Sequence, residues 1–198
     1  VCLNEKFILI AFNKPVGVEC TTSHEVENNI IDFIGFNERI FPIGRLDKNS
    51  SGLILLTNRG ELNDKILRSA NFHEKEYIVR TDKPFDAEFI KHMSEGVDIT
   101  ASFDRPLYKE GREDLRQIVT RPCTVKALSA DTFSIILTQG LNRQIRRMCG
   151  TLGYNVVSLK RIRILNIELN DLKEGTYRDL TETEKNTLFN LIGATDER

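Results

Sequence analysis

No stretch of this chain approaches the roughly 18 consecutive apolar residues of a membrane-spanning helix. The run Phe7-Ile8-Leu9-Ile10-Ala11-Phe12 is too short for the core of a secretory signal, and Asn13-Lys14-Pro15 follows at once. Cysteine is sparse. Cys2, Cys20, Cys123 and Cys149 form no C-x-x-C pair, and four cysteines in 198 residues make no disulfide scaffold. Reduced thiols in a cytoplasmic protein are the default reading. His24, His73 and His92 have neither H-x-x-x-H nor H-x-H spacing, so no zinc or other metal site is expected. The phosphate-loop pattern G-x-x-x-x-G-K-S/T is missing, as is the G-x-S-x-G elbow of serine hydrolases.

The remaining absence is of acids, and it is local. Lys+Arg 28 and Asp+Glu 29 nearly cancel, so the total charge selects no partner. The distribution does. Between Thr132 and Ile167 there is no Asp or Glu, yet Arg143, Arg146, Arg147, Lys160, Arg161 and Arg163 lie there, while acids gather from Glu168 to Glu197. One segment is purely cationic, which suits RNA or another polyanion. The length fits one domain or two small ones and suffices to bury a core. The first residue is Val rather than Met, which is compatible with a trimmed chain.

Apolar periodicity and breakers predict the elements. Phe7–Phe12 reads as a buried strand, with a turn at Lys14-Pro15-Val16-Gly17, and Asn28–Phe33 as a short helix. Leu53–Leu56 is a continuous apolar run, as in a strand covered on both faces. After a turn at Thr57–Gly60, Glu61–Arg68 is helical, with Leu62, Ile66 and Leu67 on one face. Glu76–Arg80 is a strand, and Asp86–Ser94 a helix with Asp86 near its N-cap. Asp98–Gln117 is polar and reads as a long loop or hairpin. Cys123–Leu128 and Phe133–Leu137 are strands, Asn142–Leu152 a helix ending at Gly153, and Val156–Leu169 a broken strand run. Thr181-Glu182-Thr183-Glu184 fits a capping box before a last helix that holds Leu188, Phe189 and Leu191. The pattern implies an α/β (α+β) domain, a mixed sheet with packed helices.

Two segments can carry chemistry. Gly44-Arg45-Leu46-Asp47 heads Lys48-Asn49-Ser50-Ser51-Gly52, which is rich in turn formers, and then enters the apolar run. This sets a carboxylate at the lip of a buried strand. A turn aspartate is the plain alternative. A calcium loop is a poor fit, because its twelfth position would be Asn58 instead of a bidentate Glu. In the second segment, at about 100° per residue, Leu141, Ile145, Met148, Cys149 and Leu152 share a helix face. Arg146 falls at its edge, able to reach a partly buried carboxylate, whereas Arg143 and Arg147 point outward, where phosphates bind. Tyr77 lies in a strand and is by itself an ordinary half-buried aromatic.

Four segments in order resemble the motifs of one family: Asn13-Lys14-Pro15-Val16-Gly17; Pro42–Asp47 with Gly52–Asn58; Glu74-Lys75-Glu76-Tyr77; and Asn142-Arg143-Gln144-Ile145-Arg146-Arg147-Met148. The family is the branch of pseudouridine synthases that modifies ribosomal RNA and includes the small-subunit enzyme, with members acting on 23S rRNA the most similar. The likeness runs to Thr176–Thr181. It implies a mostly antiparallel sheet with a central catalytic cleft. Asp47 would be the catalytic aspartate, Arg146 its partner, and Tyr77 the ring that stacks on uracil and handles the C5 proton. Arg45 would line the cleft and fill the space of the flipped nucleotide. Lys14, Asn142, Arg143, Gln144 and Arg147 would contact the RNA. The resemblance implies no cofactor, an RNA substrate (23S rRNA, with a tRNA as a further candidate), a monomer with no obligate protein partner, and a cytoplasmic location.

It also implies that residues 1–198 form the catalytic domain. The S4 RNA-binding domain that members commonly carry ahead of the first motif is absent from this chain, naturally or by trimming. Gly140-Leu141 stands where Gly-Arg is more usual, removing one potential phosphate contact. Two readings from other classes stay open at this level: an RNA-binding domain without activity, against which intact Asp47, Tyr77 and Arg146 speak, and a glycoside or nucleoside hydrolase, which would need a second carboxylate near the first.

Overall fold

The computed structural model describes residues 6–67, 72–102 and 117–193. In chain order the elements are β1 (Leu9–Lys14), α1 (Ile30–Ile34), β2 (Phe41–Ile43), β3 (Ser51–Thr57), α2 (Glu61–Leu67), β4 (Lys75–Thr81), α3 (Ala87–Glu95), a 3-10 turn (Thr100–Ser102), β5 (Thr124–Ala127), β6 (Thr132–Leu137), α4 (Gln144–Thr151), β7 (Val156–Ile164), β8 (Ile167–Glu168), β9 (Tyr177–Asp179) and α5 (Glu182–Ile192). The strands form one mixed sheet in the order β5-β6-β4-β7-β3-β1-β9, with β2 paired to β3 and β8 to β7. Among the described residues every pairing between these strands is antiparallel except β3 with β7, as the mostly antiparallel α/β expectation requires.

Strand composition follows coverage. β1 is buried at all six positions and β3 at six of seven, because helices or loops cover both sheet faces there. Leu9, Ala11, Leu53 and Leu55 pack on Leu62 and Ile66 of α2 and on Leu188, Phe189 and Ile192 of α5. Ile10, Phe12, Ile54 and Leu56 face the other way, onto Ile30, Ile40 and Leu46. β6 alternates, burying Phe133, Ile135 and Leu137 against α3 and α4 while its intervening residues are only partly covered. Alternation marks a strand with one covered face and continuity a strand with two.

Helix ends are set by side chains. Asn29 caps α1, Asp86 caps α3, and Thr181 with Glu184 forms the reciprocal capping box of α5. Arg178 grips Glu184 with two bonds of 2.7 and 2.8 Å, locking that box to β9. Several boundaries differ from expectation. β1 continues through Lys14, because Lys14 pairs with Gly52. α4 starts at Gln144 instead of Asn142, because Arg143 adopts a left-handed conformation with φ of 51°. α5 holds Leu188, Phe189 and Leu191 as expected, and Ile192 joins the first two in the core. Most of the Asp98–Gln117 segment lies outside the described residues.

The two halves of the sheet meet at one narrow seam. β3 and β7 pair only through Ser51–Lys160 and Gly52–Arg161. Gly52 has a φ of 104°, and a Cβ there would lie 2.2 Å from the Arg161 carbonyl oxygen and 2.6 Å from its nitrogen. Glycine is therefore required both for the backbone conformation and for the approach of the strands. Gly52→Ala is expected to destabilise the fold by about 3 kcal/mol or more, adding backbone strain to overpacking. Urea unfolding measures this, and a loss near zero would contradict the close approach.

Candidate active site

The seam opens on one sheet face into a cleft of about 1040 Å³. It lies between two apolar clusters, one under α1 and the loop carrying Leu46, the other under α3 and α4. Tyr77 touches both. The volume is at the upper end of the roughly 300–1,000 Å³ usual for small-ligand clefts.

Asp47 sits on the loop between β2 and β3. Leu46 beside it is buried, which anchors the loop in the core and leaves Asp47 at the cleft. The loop is held from one side by the segment after β1. Gly17 N–H donates to the Lys48 carbonyl at 2.7 Å, Leu46 N–H donates to Cys20 Sγ at 3.3 Å, and Lys48 pairs with Glu19 at 2.9 Å. Burial pushes the Cys20 thiol up, so it stays protonated and serves as a weak acceptor.

Arg146 holds the loop from the other side. Its guanidinium donates to the Asn49 carbonyl at 2.9 Å, to Ser50 Oγ at 3.2 Å and to the Val156 carbonyl at 3.1 Å. Its Nε is buried without a hydrogen bond and lies 3.8 Å from Asp47 Oδ2. That is an ion pair at charge-contact distance, longer than a hydrogen bond. The Arg146 side chain is 12% exposed and that of Asp47 32%. The cation is fixed, and the carboxylate is open to whatever enters. Among the described residues nothing donates a hydrogen bond to the Asp47 carboxylate.

Tyr77 lines the cleft from β4, directly opposite Arg161 of β7 in the register. Arg45, Asn142 and Arg143 are exposed on the lining, and Gln144 lines it from a buried position, with its Oε1 accepting from Leu141 N–H. Two residues assigned to RNA contact are elsewhere. Lys14 is fully buried and donates to the Pro15 and Val18 carbonyls at 2.9 and 2.8 Å; it braces the first turn and does not line the cleft. Arg147 does not point outward. It donates to the Asn142 carbonyl at 2.9 Å and to the Ser102 carbonyl, clasping the start of α4 to the 3-10 turn. The two-residue shift in the start of α4 accompanies this change.

Two cleft residues were not singled out from sequence. Lys75 is two positions before Tyr77 on one strand, hence on the same face. Arg161 belongs to the cationic run, but its burial follows from the β3–β7 seam, a contact 109 residues apart in sequence, between Gly52 and Arg161. Both line the cleft, 9% and 4% exposed. Burial, assisted by the Arg161 charge, pushes Lys75 down to about 8.

Comparisons with known proteins give the family. Residues 8–151 match the family model described as RNA pseudouridylate synthase. This chain belongs to that family. It is 50% identical, over 95% of its length, to the dual-specificity RNA pseudouridine synthase RluF of Escherichia coli strain K12, and covers 59% of that protein. It is 31% identical to the ribosomal large subunit pseudouridine synthase B of Bacillus subtilis, spanning 91% of this chain and 70% of that one. A solved pseudouridylate synthase structure superposes over 92% of this chain and 74% of its own, with a TM-score of 0.77 and 27% identity. The chain thus spans about three-fifths of the RluF relatives it matches. No helix among the described residues is long and apolar enough to cross a membrane.

Lys75 generates a stability prediction. Its folded-state value is below the unfolded 10.5, so the unfolded chain binds the proton more tightly. The penalty is full below about pH 8 and fades as pH rises toward 10.5. Lys75→Met is therefore expected to be more stable than the parent at pH 7, by at most about 3 kcal/mol. The gap should narrow between pH 8 and 10.5. Urea unfolding of both proteins across that range checks it; a constant gap would contradict the assignment.

Proposed function

We propose that this chain converts a specific uridine of 23S ribosomal RNA to pseudouridine, with a tRNA as a second substrate, acting as a monomer in the cytoplasm. Family membership supports the reaction. The likeness to a ribosomal large subunit enzyme and to a dual-specificity one supports the substrates. The observation that carries the reading is an accessible carboxylate, Asp47, beside a fixed guanidinium in a cleft that Tyr77 also lines; Glu19, the other carboxylate on the lining, is paired with Lys48.

The chemistry needs those parts. A uridine in stacked RNA hides its glycosidic bond, so the nucleotide is turned out of the stack, and a cleft of this size accepts it. The C1′–N1 bond breaks, the uracil rotates, and C5 bonds to C1′. Asp47 acts as nucleophile at C1′ or as base at C2′; both roles use its carboxylate. Arg146 positions Asp47 through the loop as well as through charge. Tyr77 supplies the ring against which uracil stacks and a hydroxyl for the C5 proton. Arg45 enters the space the nucleotide leaves, while Asn142, Arg143 and Gln144 hold the flanking RNA. Substrate and product are isomers, so the reaction has no net redox change and needs no external group donor.

Asp47→Asn is expected to reduce turnover to background with RNA affinity unchanged, measured by tritium release from C5-labelled RNA and by anisotropy. Turnover retained in this variant would overturn the reading. Tyr77→Phe keeps the ring and loses the hydroxyl, which should cost about 100-fold or more in single-turnover rate. Arg146→Ala should lose turnover at saturating RNA, whereas Arg143→Ala should mainly weaken binding.

Arg143 also carries a prediction about salt. It is exposed on the cleft lining, and each neutralised phosphate releases counterions. Its removal should lower the slope of log affinity against log salt by about 0.7–0.9 without changing which uridine is modified, because phosphate contacts position the RNA and do not read its sequence. Arg147→Ala should instead act through the stability of α4. An unaltered slope in Arg143→Ala would turn this helix end away from the RNA.

A further inference from the structure

Two cations line the cleft with no acid to neutralise them. Among the described residues, neither Lys75 nor Arg161 forms an ion pair. Lys75 Nζ makes one long hydrogen bond, 3.4 Å to the His73 carbonyl, though an ammonium carries three donors. Arg161 commits Nε to the Leu53 carbonyl at 2.7 Å, and its Nη2 is buried with no partner. The guanidinium lies 6.0 Å from the centre of the Tyr77 ring. Such donors are costly to bury unless something enters to satisfy them.

We propose that Lys75 and Arg161 form an anion-binding floor that holds the departing uracil through its carbonyl oxygens. This rests on the isomerase reading above and adds a substrate contact to it. When C1′–N1 breaks, the electron pair stays with the uracil, whose negative charge spreads over N1, O2 and O4. The ribose carbon takes an Asp47 oxygen, or the ribose loses its C2′ proton to Asp47. The uracil then rotates and C5 bonds to C1′, displacing the Asp47 oxygen or, on the second route, with the C2′ proton returned from Asp47; the C5 proton leaves, and N1 gains a proton. No atom is gained or lost overall. Charge appears on the base only after the bond begins to break, so fixed cations at its oxygens stabilise the transition state more than the neutral substrate.

The geometry favours a base over a phosphate as occupant. Arg45 and Arg143 are exposed cations of the cleft and can meet a hydrated phosphate, whereas Lys75 and Arg161 are buried beside the aromatic ring. A planar anion stacked on Tyr77 would present its edge oxygens to them. Free rotation of the uracil also asks for donors that are not tied to one acceptor. The ammonium of Lys75 and the unpartnered Nη2 of Arg161 meet that requirement.

The test compares leaving groups. An rRNA fragment containing the mapped target is prepared with uridine or with 5-fluorouridine at that position. Fluorine acidifies the base, so its anion leaves with less help. Single-turnover loss of the original nucleoside is followed by mass spectrometry of digests. Lys75→Met should lose about 100-fold on uridine, with RNA affinity unchanged, and lose much less on 5-fluorouridine. Lys75→Arg, which keeps a charge and donors, should recover part of the rate. An equal loss on both RNAs, or no loss on uridine, would overturn the floor. Asp47→Asn runs alongside. If the parent makes no pseudouridine, the isomerase reading itself fails; if Asp47→Asn is dead while Lys75→Met is fully active, only the floor fails. Thermal unfolding at pH 7 verifies that each variant is folded.

Discussion

The close approach of Gly52 to Arg161 is the constraint on which the site depends. It joins two halves of a sheet through only two residue pairs. On one side of the seam β3 leads back to the loop that carries Asp47; on the other β7 pairs with β4, which carries Lys75 and Tyr77. Arg161 crosses the seam again through its side chain, reaching the Leu53 carbonyl. Arg146 ties the same loop to α4 and to the Val156 carbonyl at the start of β7. Four segments distant in sequence are thus referred to one point. A shift of one of them would move the carboxylate relative to the ring.

The cleft sorts its cations by burial, and burial suits them to different tasks. Arg45 and Arg143 are exposed and hydrated, which suits them to the proposed phosphate contacts. Arg146 is mostly covered and stands beside Asp47. Lys75 and Arg161 are buried and lack acidic partners among the described residues, which suits them to the proposed role at the base. An unneutralised buried lysine works against folding, so its place here is better explained by what it does for the substrate than by what it does for the fold.

Much of this was legible from residues alone. Continuous apolar runs gave β1 and β3, alternation gave β6, and Asp86 and Thr181–Glu184 marked helix starts that the structure shares. Asp47 stood out as an acid just before a buried strand, and the helical phase of Leu141, Ile145, Met148 and Cys149 set Arg146 toward the core. What failed was tertiary. The left-handed Arg143 delays α4 by two residues, and Arg147 is clasped to Ser102 where an outward side chain was expected. Lys14 is drawn inward because β1 extends through it to pair with Gly52. Arg161 looked like one surface cation among many, since nothing local reports a parallel pairing with a strand 109 residues earlier, at Gly52. Lys75 was readable in principle, two residues from Tyr77 on one face, but only once the face of β4 toward the cleft was known.

The central claim is that this cleft makes pseudouridine with Asp47. The most direct measurement maps pseudouridine across rRNA and tRNA from cells with the protein, without it, and with only its Asp47→Asn form. The account predicts at least one uridine in 23S rRNA that is converted with the intact protein and left as uridine in the other two. Identical maps in all three, or full conversion with Asp47→Asn, would contradict it.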